Sequence, residues 1–468
     1  MLFSSLLFTF AFLPVTILLY YCLGKRLRNG VLLTASLFFY AWGEPVYVFL
    51  MCGSILINYW LGIRLGKDDA GGGKSKLFLI ISLVFNLGCL TYFKYFAMII
   101  STLTAMGGWN VQGEAPALPL GISFYTFQIL SYGIDVTRGK IKPQKSLLLF
   151  ALYIAMFPQL VAGPIVKYGD IESQLADRSM TFKTFYAGMG RFLGGLAKKM
   201  LLANPLGLLW AEVKVMPGTE MSAFLAWAGI MAFTLQIYFD FSGYSDMAIG
   251  LGKMFGFRFK ENFRHPYMAQ SVSEFWRRWH ISLGSWFKDY VYIPLGGSRA
   301  GKWKMLRNLL MVWLLTGLWH GASWNFVLWG IYFGSLIAIE KLFLQTWLPG
   351  WPRAVRHIYL LLLVIIGWVF FEFTSLADGL GFLESMLGRG GNGLIDAQDI
   401  MKLKAYALLY SVGILAASPG LGKLASLLKG VDGRKYQWAV SLYYCVLLFL
   451  ATAYMVGSTY NPFIYFRF

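Results

Sequence analysis

Two histidines lie where an ionisable side chain is costly, and they are the residues best suited to do chemistry. Residues 308–330 form an apolar run in which His320 is the single ionisable side chain. The run is long enough to cross the roughly 30 Å hydrocarbon layer as one helix. At ~1.5 Å per residue, His320 then lies about 16 Å from the near end, close to the bilayer midplane. An ionisable group there usually marks a functional site, and the alternative is an imidazole that bridges two helices by hydrogen bonds.

His280 lies 40 residues before His320, so the two belong to different elements that could still line one pocket. Burial disfavours the charged form of an imidazole, and a neutral imidazole can accept a proton from a hydroxyl, as general-base catalysis requires. For His280, a surface position at the membrane interface is an equally good interpretation. His265 and His357 lie in basic stretches and are predicted to be interface residues.

Three carboxylates in aromatic surroundings are further candidates. Asp240 and Asp246 belong to the motif QIYFDFSGYSDMAIG, where they could orient a histidine or bind a polar group of a substrate. We favour the alternative that they form ion pairs with Arg or Lys of residues 253–307, because a buried charge needs a partner. Asp289, which follows Lys288, has the same two interpretations.

The composition indicates an integral membrane protein. Hydrophobic residues make up 57% of the 468 residues and charged residues 13%, about half of the ~25% that is typical of soluble domains. The net charge of +19 comes from short loops between apolar runs. The positive-inside bias and anionic lipid headgroups explain such loops without nucleic acid. The four cysteines lack metal-ligand spacing, and P-loop, GxSxG and HExxH motifs are absent, so no metal site and no bound cofactor are predicted.

Apolar runs recur along the whole chain and predict one polytopic, all-α transmembrane domain over residues 1–468. The first basic residues follow the first run, which favours a retained helix with its N-terminus outside and the basic loop in the cytoplasm. Several runs are short for a full crossing and could break within the bilayer. The predicted spans are 2–23, 31–43, 46–63, 77–100, 118–137, 147–163, 185–210, 222–251, 308–330, 331–348, 358–374, 403–417 and 437–457.

Residues 253–307 interrupt this pattern, because they are rich in Arg, Lys and aromatic residues. Ser271 and Glu274 have the spacing of a capping box, which predicts the start of a helix. Glu274 would then face Arg278 at i,i+4. We expect an amphipathic helix that lies at the interface or re-enters the membrane, and that carries His280.

Long motifs over nearly the whole chain resemble those of a known family. They are the opening MLFSSLLFTFAFLP, YFKYF at 92–96, LPLGISFYTFQILSYGIDVTRG at 118–139, FPQLVAGPIVKY at 157–168, QIYFDFSGYSDMAIG at 236–250, EFWRRWHISLGSWFKDYVYIPLGGSR at 274–299, TGLWHGASWNFVLWG at 316–330 and the closing PFIYFRF. With these motifs the chain resembles the membrane-bound O-acyltransferases. Within that family it is similar to the bacterial branch of alginate O-acetyltransferase membrane subunits and the teichoic-acid D-alanyltransferase, and residues 277–297 are closer to the acetyltransferases.

The resemblance implies a ring of helices around a central funnel or tunnel in the bacterial cell membrane, in contact with membrane lipids. His320, in the WHG motif, would be the catalytic histidine, and His280, in the RRWH motif, would be the second histidine of the family. An acyl thioester donor would arrive from the cytoplasm. The acceptor hydroxyl would come from outside or from a partner protein, such as an extracytoplasmic SGNH-type acetyltransferase.

We therefore predict acetyl transfer from acetyl-CoA for O-acetylation of an extracytoplasmic polysaccharide. His320 would act as general base, and His280 would orient a substrate or assist proton transfer. Three alternatives remain open: D-alanyl transfer from a carrier protein to teichoic acid, a transporter that uses His320 as a proton relay, and a non-catalytic export scaffold. Basic residues of the 253–307 segment could hold the phosphates of the donor. The candidate substrate-binding residues are Asp289, Asn325, Ser323, Trp324, Arg277 and Arg278.

Overall fold

The regular secondary structure is helical throughout the part of the chain that the structure describes. This computed structural model describes residues 1–66, 72–107, 116–161, 163–299, 301–420, 433–457 and 463–464, and within them it contains no β-strand. Seven helices of these residues are long and apolar enough to cross a bilayer. Many of their side chains are exposed, such as Phe49 at 77% and Leu408 at 76%, which suits contact with lipid. The all-α membrane fold is therefore confirmed, while the ring around a funnel stays a prediction.

The chain divides into two compact units, and the first comprises Met1–Phe192 and Tyr244–Glu261. Within it α3 packs against α4, α6 and α7, and α2 packs against α1 and α7. The helices, in chain order, are α1 (Leu13–Cys22), α2 (Gly24–Gly43), α3 (Tyr47–Leu65), α4 (Gly73–Leu90), α5 (Phe96–Gly107), α6 (Ile122–Thr137), α7 (Leu147–Ala155), α8 (Phe157–Leu160), α9 (Tyr168–Ala176) and α10 (Phe182–Ala197).

The second unit comprises Leu193–Gly243 and Asn262–Phe468, and it contains all four histidines. Its helices are α11 (Asn204–Lys214), α12 (Ala223–Met254), α13 (Val272–Arg278), α14 (Ile281–Phe287), α15 (Lys302–His320), α16 (Trp324–Ile339), α17 (Arg353–Glu372), α18 (Leu376–Met386), α19 (Ala397–Ala417) and α20 (Gly433–Gly457). Helices α10 and α12 each belong partly to both units, because the division falls after Phe192 and after Gly243. One transmembrane domain over residues 1–468 stays a prediction.

The predicted continuous helix over 308–330 is wrong, because the chain reverses directly after His320. Helix α15 ends at His320, Gly321 is extended at φ −172° and ψ 161°, and α16 begins at Trp324. The two helices then pack as a hairpin. A Cβ atom at Gly317 would collide with the backbone carbonyl of Phe326, and one at Gly321 would collide with the Phe326 ring. Only glycine permits so close a reversal, and the depth of His320 in the bilayer stays a prediction.

The predicted amphipathic helix of residues 253–307 is two short helices instead of one. The N-cap of the predicted capping box is confirmed, because the Ser271 hydroxyl accepts a hydrogen bond from Glu274 N at 3.0 Å. The Glu274 carboxylate accepts from Gln270 N, one residue before the N-cap, at 2.9 Å. The ion pair between Glu274 and Arg278 is also confirmed. The helix then stops at Arg278, and α14 starts only after His280, whose backbone is left-handed at φ +44°.

Candidate active site

The His320 ring lies inside an aromatic enclosure at the end of α15, and the residue is only 3% exposed. Its centroid is 5.0 Å from the Trp319 ring, 4.9 Å from Trp329 and 5.4 Å from Phe371, each at 78°. Trp329 comes from α16 and Phe371 from α17, so three helices build the enclosure. Edge-to-face contacts of this kind restrict the plane of the imidazole.

The backbone at His280 is held in a conformation that L-residues rarely adopt, since the left-handed region brings Cβ close to the following carbonyl oxygen. Two hydrogen bonds of the same unit support this turn. Ile281 N donates to Asn262 O at 2.9 Å, and Arg264 N donates to Arg278 O at 3.0 Å. The backbone of residues 262–264 therefore stabilises the break between α13 and α14. At this break, His280 lines the cavity described below.

The His280 side chain is 2% exposed and has both polar and aromatic neighbours. Its Nδ1 lies 3.2 Å from Asn262 Oδ1. The ring centroid lies 4.7 Å from Phe241 and 5.7 Å from Trp319. Burial lowers the pKa of His280 to about 3, so the imidazole is neutral at physiological pH.

Both histidines line one cavity of about 470 Å³, and Trp319 contacts both rings. A cavity of this volume is large enough for the reactive end of a small-molecule substrate. Helices α13, α14 and α15 supply most of its wall, and Lys341 follows α16. The lining includes the polar side chains Ser273, Arg277, Ser285, Lys288, Tyr292, Thr316 and Lys341, beside aromatic and aliphatic residues.

A second cavity, of about 340 Å³, adjoins the first, because both are lined by Ser273, Arg277 and Lys341. Arg356 from α17 is a further cation in its wall. The acidic side chains of this wall are already engaged. Glu340 accepts hydrogen bonds from Val272 N at 2.6 Å and Ser273 N at 2.8 Å, and Glu274 pairs with Arg278. The second cavity is therefore suited to an anionic group.

Glu340 also explains how α13 is positioned. Its carboxylate is 5% exposed and accepts two of the backbone N–H groups at the start of α13. The first N–H groups of a helix have no partner within it, and they carry partial positive charge that a carboxylate stabilises. The end of α16 thus holds the helix that brings Arg277 to both cavities.

Asp240 and Asp246 form ion pairs, as we favoured, but with cations that precede residues 253–307. Lys199 Nζ lies 2.6 Å from Asp240 Oδ1, and both side chains are 2% exposed. In the other unit, Arg191 pairs with Asp246 at 2.6 Å. Asp240 Oδ2 also accepts a hydrogen bond from Ile464 N at 2.7 Å. Phe241, which follows Asp240, is the residue of this motif that contacts His280.

The other predicted substrate-binding residues do not line the cavity of the two histidines. Arg278 pairs with Glu274 instead, and Trp324 is 58% exposed. Asn325 Nδ2 donates to Phe373 O, which ties the start of α16 to the residue after α17. Ser323 precedes α16, and Asp289 is half-buried beside Lys288.

His265 and His357 are also away from the cavity. His265 Nδ1 lies 3.2 Å from Ala417 O, and His357 Nδ1 lies 3.2 Å from Ala269 O. His265 is exposed and His357 is half-buried, and each ring contacts a backbone carbonyl that is distant in the sequence.

Sequence reasoning missed the residues that hold the two histidines. Asn262 is one polar residue in a basic segment, and nothing in its spacing indicates that it meets a ring 18 positions later. Trp329 and Phe371 contact His320 only because α16 and α17 pack beside α15. The richness in aromatic residues was the available signal, but it does not say which rings enclose a histidine.

Comparisons with known proteins bear on the family of the chain. The sequence profile of MBOAT, the membrane-bound O-acyltransferase family, matches residues 79–382. The chain is 42% identical over 394 residues to a probable alginate O-acetylase AlgI of Pseudomonas aeruginosa, which covers 83% of this chain and 75% of that protein. It is 37% identical over the whole of both chains to a protein of the same name from Pseudomonas putida. A peptidoglycan O-acetyltransferase of Helicobacter pylori is 31% identical, over 100% of this chain and 98% of the relative.

Proposed function

The chain belongs to the membrane-bound O-acyltransferase family, and from this premise we propose which transfer this multi-pass membrane O-acyltransferase catalyses. It moves an acetyl group from cytoplasmic acetyl-CoA to a hydroxyl acceptor, for O-acetylation of an extracytoplasmic polysaccharide. The observation that supports this most is the cavity lined by both His280 and His320. Relatives named as O-acetylases and O-acetyltransferases support acetyl as the group transferred.

In the proposed mechanism, His320 accepts the proton of the acceptor hydroxyl as that oxygen attacks the thioester carbonyl. A carbon–oxygen bond forms, the carbon–sulfur bond breaks, and the thiolate of CoA takes up the proton that His320 accepted. The products are the acetyl ester and free CoA. The aromatic enclosure keeps the His320 ring in one plane, which favours a reproducible attack geometry.

Arg277, Lys341 and Arg356 are proposed to bind the phosphates of CoA in the second cavity. Guanidinium and ammonium groups form charge-assisted hydrogen bonds with phosphate oxygens, and Arg can do so through two N–H groups at once. Arg277 and Lys341 also line the histidine cavity, so a donor bound here could extend its thioester toward the two rings. Basic loops face the cytoplasm by the positive-inside rule, which is where CoA is found.

Transfer to the final acceptor is proposed to involve a partner protein. We propose that the acetyl group leaves the protein on the outer face of the bacterial cell membrane. An SGNH-type acetyltransferase then completes transfer to the polysaccharide. The relatives named for alginate and peptidoglycan make a carbohydrate the expected final acceptor.

Two other functions make different predictions. A D-alanyl transferase would discharge a D-alanyl carrier protein and leave acetyl-CoA intact. A transporter with His320 as proton relay would accumulate substrate in vesicles without consuming a thioester.

The test is to incubate the purified protein, in lipid nanodiscs, with radiolabelled acetyl-CoA or with a charged D-alanyl carrier. We expect discharge of acetyl-CoA in the presence of an acceptor, and its loss in His320→Ala. Discharge of the carrier alone would establish D-alanyl transfer instead. If the protein discharges neither donor, the proposed chemistry is wrong.

A further inference from the structure

The hydrogen bonds around the His280 ring point to a role for a residue outside every motif considered above. We propose that Asn262 is a positioning residue that holds His280 as the Nδ1–H tautomer, so that Nε2 presents its lone pair to an N–H or O–H group of the substrate. The use of that lone pair rests on the proposed function. The tautomer rests on hydrogen bonds alone.

The orientation of the Asn262 amide follows from a backbone donor. Ser282 N lies 3.1 Å from Asn262 Oδ1, and a backbone N–H can only donate. The atom that faces it is therefore the amide oxygen. The Ser282 hydroxyl donates to the same oxygen at 2.9 Å. Asn262 is 0% exposed, so these contacts fix its side chain in one orientation.

The position of the His280 proton follows from that orientation. Nδ1 lies 3.2 Å from Asn262 Oδ1, and an oxygen acceptor requires a hydrogen on the nitrogen. The Ser282 hydroxyl, 3.4 Å from Nδ1, can also accept it. In a neutral imidazole with Nδ1 protonated, Nε2 has a lone pair and no hydrogen.

Nε2 is buried and has no hydrogen-bond partner among the residues that the structure describes. A buried acceptor without a partner is unfavourable, because it has lost its hydrogen bonds to water. Because His280 lines the cavity, a substrate that enters it can supply the missing donor. His280 is thus preorganised to accept a hydrogen bond.

The charged groups around the cavity favour the same neutral state. Arg277, Lys288 and Lys341 line it together with His320, and positive charges nearby disfavour a further positive charge on an imidazole. Phe241 contacts the His280 ring, and the residue before it, Asp240, pairs with Lys199. A carboxylate at position 262 would be the exception, since it would favour the imidazolium.

The first experiment reads the tautomer directly and does not depend on activity. The protein is labelled with ¹⁵N-histidine, and solid-state NMR spectra in lipid are compared with those of His280→Gln to assign the His280 signals. We expect a protonated Nδ1 and an unprotonated Nε2 for His280. A protonated Nε2 would overturn the proposal, even if acetyl transfer is confirmed.

The second experiment separates positioning from structural support. Asn262→Leu removes the acceptor, and we expect kcat/KM to fall about 10–100-fold, the range found for residues that orient metal-bound histidines. Asn262→Asp keeps an oxygen acceptor, so we expect activity within a few-fold of the wild type, with the acid limb of the pH profile moved to higher pH. His357→Gln serves as control and should match the wild type.

The outcomes of this comparison decide the role of Asn262. Wild-type kcat/KM in Asn262→Leu would refute it. Equal losses in Asn262→Leu and Asn262→Asp, with an unchanged pH profile, would also refute it, because a purely structural role predicts that result. If Asn262→Leu does not fold, Asn262→Asp and the tautomer measurement still test the proposal.

Discussion

The surroundings of His320 and His280 differ in kind, although both residues line one cavity. Three rings at 78° enclose His320 at the end of a helix. His280 lies in a left-handed turn, with an amide oxygen at Nδ1 and Phe241 across its face. Aromatic edges restrict the plane of the His320 imidazole, and the hydrogen bond to Asn262 restricts the position of the proton on His280.

The proposed function gives the two histidines different roles. A ring with a fixed proton suits the binding and orientation of a substrate, because its acceptor nitrogen always presents the same lone pair. A general base must take up a proton and return it, and we assign that task to His320. Substitutions around His320 and substitutions around His280 should therefore affect different measured quantities.

The largest expected effect is on the His320 side. His320→Ala should lower kcat for acetyl transfer about 10²–10⁴-fold, the range that a positioned general base contributes. The measurement is the release of CoA from acetyl-CoA by the purified protein. Gel filtration should show that the variant is monodisperse, and turnover at the wild-type rate would remove His320 from the chemistry.

The next effect concerns the buried ion pair between Lys199 and Asp240, the residue before Phe241. Lys199→Met would leave the Asp240 carboxylate buried without its cation, and breaking a buried pair in this way costs about 3–5 kcal/mol. We expect a lower free energy of unfolding, measured by thermal unfolding in detergent. The double variant Lys199→Met with Asp240→Leu should recover much of the loss. No change in the single variant would show that the pair contributes little.

The His280 side also predicts a pH-dependent stability. Because burial lowers the pKa of His280 from 6.5 to about 3, the unfolded chain binds a proton between these values that the folded chain does not. Stability is therefore lost as pH falls below 6.5, by about 2 kcal/mol at pH 5. Thermal unfolding at pH 7 and pH 5 should show a smaller loss in His280→Gln than in the wild type. Equal losses would contradict this.

The smallest expected effect distinguishes two neighbouring arginines. Arg277→Gln should raise KM for acetyl-CoA about 10-fold, because one charge-assisted hydrogen bond to phosphate is removed. Arg278→Gln is the matched control, since Arg278 pairs with Glu274 and lines neither cavity. Steady-state kinetics with varied acetyl-CoA gives both values. A similar KM in the two variants would place the phosphates elsewhere.

The sequence predicted the helical membrane fold well, because apolar runs are local patterns, and the two histidines that it singled out line one cavity. It failed at His320, where the apolar run continues through the reversal at Gly321 and hydropathy alone cannot mark the end of a helix. It failed again at His280, because local propensity does not foresee a left-handed histidine that is braced by residues 262–264. The partners of Asp240 and Asp246 were wrong for a related reason, since pairing depends on which helices pack together.

The reversal after His320 has an electrostatic consequence. The peptide dipoles of α15 leave partial negative charge at its last residues, where the carbonyl groups have no partner within the helix. His320 is the last residue of that helix. A cation at such a position is stabilised by about 0.3–1 kcal/mol, and by up to ~2 kcal/mol when it is partly buried. In the proposed mechanism, the nineteen residues of α15 would thus help to stabilise the positive charge that the imidazole gains when it accepts a proton.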